Sequence, residues 1–212
     1  PGVPAGASAL AIERLGEKSI TPMRVPSADE AAIIVFTSGT TGSPRAVVHS
    51  RRSMQSVLNI IGSLLEAGDR DVFYARELHV ILPALYAGAA VVVPRRSGFS
   101  VKRLLRDLKK FEVTHFFGVT SELQQAVDYL HSRQLKFLRQ LRQIWIGAAP
   151  VHAAFLQRFR TVLAADTKTW CVYGMTEILP VARVSLEEKM EYQSEGDLLG
   201  ACVPGVSAVI SE

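Results

Sequence analysis

The 212-residue chain holds two cysteines and two tryptophans, and no apolar run approaches the roughly 18 residues that a membrane-crossing helix needs. Cys171 and Cys202 have no companion His or Cys at ligand spacing, which excludes a zinc cluster and a disulfide framework. They read as reduced thiols of a cytoplasmic protein. The opening segment from Pro1 to Ser8 lacks the basic start and the apolar stretch of a secretory signal. It also lacks Met, so the chain reads as a fragment or a processed form. With 48% hydrophobic and 21% charged residues, disorder is not indicated, and the length suffices for one large α/β domain or two small ones. There is no internal repeat. Residues 1–28, rich in Pro, Gly and Ala, read as an irregular or linker segment ahead of a folded unit at 29–212.

The net charge is +4, with basic clusters at Lys102-Arg103, Arg106, Lys109-Lys110 and at Arg133, Lys136, Arg139 and Arg142. Between residues 100 and 111, Val101, Leu104, Leu105, Leu108 and Phe111 recur at helical spacing, with the bases opposite. That pattern is a solvated outer helix face. No aromatic interleaving accompanies it, so no nucleic-acid partner is expected.

Strand and helix signals alternate along the chain. Apolar strands are expected at 31–36, 46–49, 71–74, 89–93, 113–117, 142–146 and 168–172, the first as a buried strand. Helices are expected at 53–67, 78–87, 100–111, 121–132 and 151–164. The alternation predicts an α/β fold with a mostly parallel sheet flanked by helices.

After the first strand comes Phe36-Thr37-Ser38-Gly39-Thr40-Thr41-Gly42-Ser43-Pro44-Arg45. Hydroxyl side chains and unhindered glycine N–H groups form a cradle for an anion, and Arg45 adds a charge. Gly39 and Gly42 are three apart with no Gly-Lys following, so this is not the Walker A loop.

The order Thr-Ser-Gly-Thr-Thr-Gly-x-Pro-Arg resembles the phosphate loop of the adenylate-forming superfamily, which includes acyl-CoA synthetases and the adenylation domains of peptide synthetases. Further matches follow in order. Tyr173-Gly174-Met175-Thr176-Glu177 is similar to that family's Tyr-Gly-x-Thr-Glu motif, and Gly147-Ala148-Ala149-Pro150 to its small-residue loop. His115-Phe116-Phe117-Gly118-Val119 looks like the strand that ends at the acyl pocket, with Thr120 where Pro is usual. The stretch from Glu77 to Ala89 resembles the helix whose aromatic or His faces the carboxylate substrate. His79 falls at that position counted back from Gly88, and both a substrate-facing and a merely packed His79 stay open. The tail from Gly196 to Val206 resembles a Gly- and Pro-rich family turn before a strand. Arg45 stands where Lys is usual and Ala46 where Gly is common; the guanidinium keeps the charge but binds phosphate as a fork.

The resemblance implies the central part of a large N-terminal AMP-binding domain, with the small C-terminal domain absent. It implies an AMP-forming acid ligase. A carboxylate oxygen attacks the α-phosphate of ATP, an acyl-adenylate forms and pyrophosphate leaves. Thr37, Ser38, Gly39, Thr40, Thr41, Gly42 and Arg45 would hold phosphates, and Gly147, Ala148, Ala149, Pro150, Tyr173 and Gly174 the nucleotide. Thr176 and Glu177 would be catalytic, with Glu177 on Mg²⁺, and His79, Phe117, Gly118 and Met175 would line the acid's pocket. Coenzyme A, a carrier thiol or an internal hydroxyl would accept the acyl group in the complete enzyme, and the truncated chain alone would be inactive. The run from Tyr173 to Ala182 also resembles the branch of olefin-pathway β-lactone synthetases, whose acid would be β-hydroxylated. Three readings remain: a ligase for a fatty or other apolar acid, an amino-acid adenylation domain, and a non-catalytic nucleotide-binding relic.

Overall fold

The computed structural model describes residues 25–37, 45–94 and 98–209. Five parallel strands form one side of a seven-stranded sheet: β3 (Val72–Tyr74), β4 (Ala90–Val92), β5 (His115–Val119), β6 (Gln143–Gly147) and β7 (Lys168–Met175). Two antiparallel strands, β8 (Ile178–Ser185) and β9 (Ala201–Cys202), complete it in the order β4-β3-β5-β6-β7-β8-β9. The expected mostly parallel α/β sheet is therefore present.

Alternation along the strands feeds two cores. Phe116, Ile144, Ile146 and Cys171 pack with α3 (Val101–Lys110), α4 (Thr120–Ser132) and α5 (Ala153–Val162) on one face. Phe117, Trp145, Trp170 and Val172 pack on the other with α1 (Arg51–Leu65) and α2 (Leu78–Tyr86). Successive strand side chains point to opposite faces, so one apolar run serves both layers. α1 starts where Ser50 caps it, its side chain accepting from Ser53 N–H. The bases Lys102, Arg106, Lys109 and Lys110 of α3 lie exposed, opposite the buried Leu104 and Leu108.

The expectation of a buried strand at 31–36 is corrected. β1 (Ala31–Thr37) pairs antiparallel with β2 (Arg45–Ser50) as a separate two-stranded ribbon. Ile33 and Val35 turn inward, but Ile34 is 55% and Phe36 70% exposed, with Val48 of β2 beside them at 58%. An apolar run gives the strand but not its partner, and a two-stranded ribbon has only one face to bury here.

His115 lies at the first position of β5, at the opposite end from the motifs. It stacks on Phe73 at 4.4 Å. Beside it Thr114 Oγ1 donates to Asp71 Oδ1 at 3.0 Å, and Arg142 Nη1 lies 2.7 Å from the same oxygen. Burial opposes the Asp71 charge, but hydrogen bonds from the Gly68 N–H and Thr114, with His115 and Arg142 nearby, hold its carboxyl below the usual range. This polar cluster ties the starts of β3, β5 and β6 together.

Candidate active site

In the strand order, β3 has β4 on one side and β5 on the other, so the connection reverses direction between β3 and β5. Open α/β sheets bind ligands at the carboxyl ends of strands beside such a switch point. His79 follows β3, and Phe117 lies near the end of β5. The rings meet edge-on, with centroids 5.4 Å apart. Burial alone presses the His79 pKa down to about 4, so its imidazole is neutral at pH 7.

Two cavities open at this end of the sheet, and the segment Tyr173–Glu177 contributes to both. The first, about 260 Å³, is lined by Ala148, Ala149 and Pro150 on one side and by Tyr173 and Gly174 on the other. Ala148 adopts φ 67°, the left-handed region an alanine rarely occupies, at the turn out of β6. Gly147 is required by close approach: a Cβ there would lie 3.0 Å from the Val172 carbonyl. Tyr173 is 38% exposed, so its ring face is available to a ligand. Deeper in this wall, burial pushes the Cys171 thiol up to about 12, which leaves it un-ionised and chemically quiet.

Lys189 also lines this cavity and was not singled out from sequence. It is only 6% exposed, and its ammonium lies 2.6 Å from both Asp197 Oδ1 and the Leu198 carbonyl. It sits on α6 (Leu186–Glu191), a six-residue helix started by a capping box between Ser185 and Glu188.

The second cavity is larger, about 620 Å³. Its walls come from β1, β2, α1, the start of α2 and the β7–β8 turn, with Ile33, Val35, Met54, Val57 and Ile60 among the apolar groups. His49, Glu77, His79, Thr176 and Glu177 supply polar atoms, and no Lys or Arg lines it among the described residues. Thr176 and Glu177 form the two-residue turn between β7 and β8, closed by the pair Met175–Ile178. Neither has a positive φ, so this is not the primed turn that hairpins favour. The ladder instead shifts register between Tyr173 and Met175. A bulge of that kind re-aims side chains near a site. Gly174 occupies it, and a Cβ there would fall 2.5 Å from Leu179 Cδ2 and 3.3 Å from the Ile178 carbonyl.

The family profile described as AMP-binding enzyme matches residues 4–212. The chain belongs to the AMP-binding enzymes. It is 31% identical over 211 residues to an olefin β-lactone synthetase of Stenotrophomonas maltophilia, covering 96% of this chain and 37% of that protein. A fatty acyl-CoA synthetase B of Dictyostelium discoideum is 29% identical over 143 residues, covering 64% of this chain and 20% of that protein. Among solved structures, the o-succinylbenzoate coenzyme A synthetase of Bacillus subtilis in complex with ATP and magnesium superposes with a TM-score of 0.70 at 21% identity. That match covers 91% of this chain and 40% of the other. The chain thus spans 37% and 32% of the length of two curated relatives that share one name.

Within this AMP-binding fold, the residues singled out by motif distribute as follows. Ala148, Ala149, Pro150, Tyr173 and Gly174 share the smaller cavity. His79, Thr176 and Glu177 share the larger. Thr37 and Arg45 pair across the end of the β1–β2 ribbon, with Thr37 Oγ1 donating to the Arg45 carbonyl at 3.4 Å. Ser38, Gly39, Thr40, Thr41 and Gly42 lie outside the described residues. Phe117 packs against His79, whereas the bare side of Gly118 faces Leu123 of α4, across the sheet. Met175 is exposed near the hairpin end. No helix among the described residues is long and apolar enough to cross a membrane.

Proposed function

We propose that the two cavities are the nucleotide and acid halves of an acid–AMP ligase site, and that the acid is fatty or otherwise apolar. The observation that carries this is the larger cavity. It is apolar on most walls, offers a neutral His79 and has no cation among its described lining residues to receive a second anionic group. Burying a carboxylate there without a partner would be costly, so the acid's tail occupies it and its carboxylate stays at the rim beside the Thr176–Glu177 turn. A β-hydroxylated acid, as the name of the Stenotrophomonas relative suggests, would place one hydroxyl within the polar set of His49, Glu77 and His79.

Tyr173 would stack on the adenine, with the Ala148–Pro150 backbone opposite. Thr37 and Arg45 would flank the phosphates. In the reaction, a carboxylate oxygen forms a bond to the α-phosphorus of ATP, and the bond to the bridging oxygen of the departing pyrophosphate breaks. The protein's share is positioning and charge compensation. Among the described residues no group of three or more His, Cys, Asp or Glu could hold a metal alone. One carboxylate, Glu177, with substrate phosphates suits Mg²⁺, which keeps water and phosphate ligands. When bound, that ion would draw charge from the phosphates. Coenzyme A or a carrier thiol would take the acyl group in a second step, and the cytoplasm is the compartment that suits free Cys171 and Cys202.

One observation favours a second reading, an amino acid as substrate. The Glu77 carboxylate lines the acid cavity and could pair with an ammonium group. Calorimetry with Mg²⁺ present separates the two. A non-hydrolysable long-chain acyl-adenylate mimic is expected to bind at least about tenfold more tightly than an aminoacyl-adenylate mimic. Glu177→Ala is expected to weaken ATP binding about tenfold when Mg²⁺ is present. Tighter binding of the aminoacyl mimic would install the second reading, and no nucleotide binding by the folded chain would defeat both.

A further inference from the structure

The larger cavity contains a contact that neither motif nor family match assigns. His49 Nε2 lies 2.8 Å from the carbonyl oxygen of Thr176, 127 residues further along the chain. A carbonyl can only accept, so Nε2 carries the hydrogen and donates it. His49 stands opposite Ile33 in the β1–β2 ribbon, whose tip joins Thr37 to Arg45. Thr176 belongs to the turn that carries Glu177, in the other sheet. Among the described residues this is the one hydrogen bond that joins the ribbon to that turn.

The chemistry of the surroundings argues against a packing role for His49. The neighbouring wall is built of Ile33, Val35, Met54 and Val57, where an aliphatic side chain would pack as well and suit a strand better. The Thr176 carbonyl lies within a two-residue turn, beyond the Met175–Ile178 pair that closes the ladder. A half-buried acceptor in that place needs a partner brought from elsewhere. His49 supplies it from the strand that leaves the loop expected to cradle phosphates.

We propose that His49 is a positioning residue: through the Thr176 carbonyl it fixes the Thr176–Glu177 turn relative to the phosphate-loop ribbon. The inference rests on the adenylate-forming reading for its purpose, which is to hold the phosphates and the metal-bearing carboxylate in one register. It rests on geometry alone for its mechanical part.

The test uses the full 212-residue chain with His49→Leu and His49→Gln. Leucine keeps the bulk and lacks a donor; the glutamine amide can donate to the same carbonyl. Amide hydrogen exchange reads the turn without any nucleotide. Exchange at Glu177 and Ile178 is expected to rise about fivefold to tenfold in His49→Leu and to stay within about twofold of wild type in His49→Gln, as one lost hydrogen bond predicts. Calorimetry then reads the purpose. His49→Leu is expected to weaken Mg²⁺-dependent ATP binding about fivefold to tenfold, with metal-free ATP binding changed less than about twofold and glutamine restoring the difference. Unchanged exchange at the turn in His49→Leu overturns the inference. Equal weakening of ATP binding with and without Mg²⁺ also overturns it, because a general loss of packing does that. A wild-type chain that binds no nucleotide, but whose turn still loosens in His49→Leu and not in His49→Gln, defeats the ligase reading and leaves the positioning role standing.

Discussion

His79 and Cys171 show how burial dominates the chemistry of single side chains at this site. His79 has its folded pKa at about 4, well below the ordinary histidine value of about 6.5, because the charged imidazole loses its hydration. The unfolded chain therefore takes up this proton first as pH falls. Stability is full above about pH 6.5, declines as pH drops, and the loss is complete below about pH 4. The separation corresponds to at most about 3 kcal/mol, reduced by the contact of His79 with the open cavity. Urea unfolding of wild type and His79→Phe at pH 7 and pH 4.5 checks this. His79→Phe keeps the ring contact with Phe117 and is expected to lose less stability on acidification, by about 2 kcal/mol. His115, also held below its usual range by burial, titrates in both proteins and cancels. A parallel acid loss in the two proteins would show that His79 is solvated. Cys171 gives the corresponding prediction for thiols. With its pKa near 12 it resists iodoacetamide at pH 8, whereas the exposed Cys202 is alkylated, and peptide mass spectrometry distinguishes them.

At the scale of elements, the parallel strands and their helices were legible because apolar runs separated by amphipathic helices have few other ways to be buried. The expected helix at 100–111 appears as Val101–Lys110, and the strand at 142–146 as Gln143–Gly147. The antiparallel end of the sheet was not legible. β8 carries Pro180, which reads against a strand, and α6, at six residues, is too short to show a helical period. The site followed the same rule. Motifs placed Tyr173 and Ala148 around one cavity, but His49 and Lys189 were missed, because the groups they bind are a turn carbonyl 127 residues away and a loop aspartate. Lysine is rarely buried, and sequence gives no sign that Lys189 is. Its burial makes the α6 clasp testable. The ammonium, bonded to Asp197 and the Leu198 carbonyl, holds residues 197–199 in the wall of the smaller cavity. Asp197→Asn removes the counter-charge and keeps the shape. Because Asp197 is itself 44% exposed, the cost falls below that of a fully buried pair, at about 1–2 kcal/mol. Thermal unfolding measures it, and an unchanged midpoint would mean that water already screens the pair.

For the whole molecule, the distribution of positive charge limits what the described architecture can do. The chain carries a net charge of +4, and its densest basic clusters, on α3 and the 133–142 segment, lie away from both cavities. Lys189 is the single Lys or Arg among the described residues that line either motif-bearing cavity, and its ammonium is engaged by Asp197 and Leu198. On the proposed reading, ATP binding would draw on stacking by Tyr173 and on Glu177 as the metal-bearing carboxylate. Transfer at the α-phosphorus also needs preorganised positive charge where negative charge develops, in a site that excludes water. Arg45, exposed at the ribbon end, is the nearest cation by motif, and both cavities are open to solvent. The 212 residues are therefore expected to bind MgATP and an apolar acyl-adenylate mimic without sustained turnover. Acid-dependent exchange of labelled pyrophosphate into ATP measures this directly. Exchange is expected at the level of the protein-free control while calorimetry records binding. Sustained exchange by this chain alone would show that Arg45 and the loop it closes suffice for transfer, and Arg45→Ala would then be expected to abolish it.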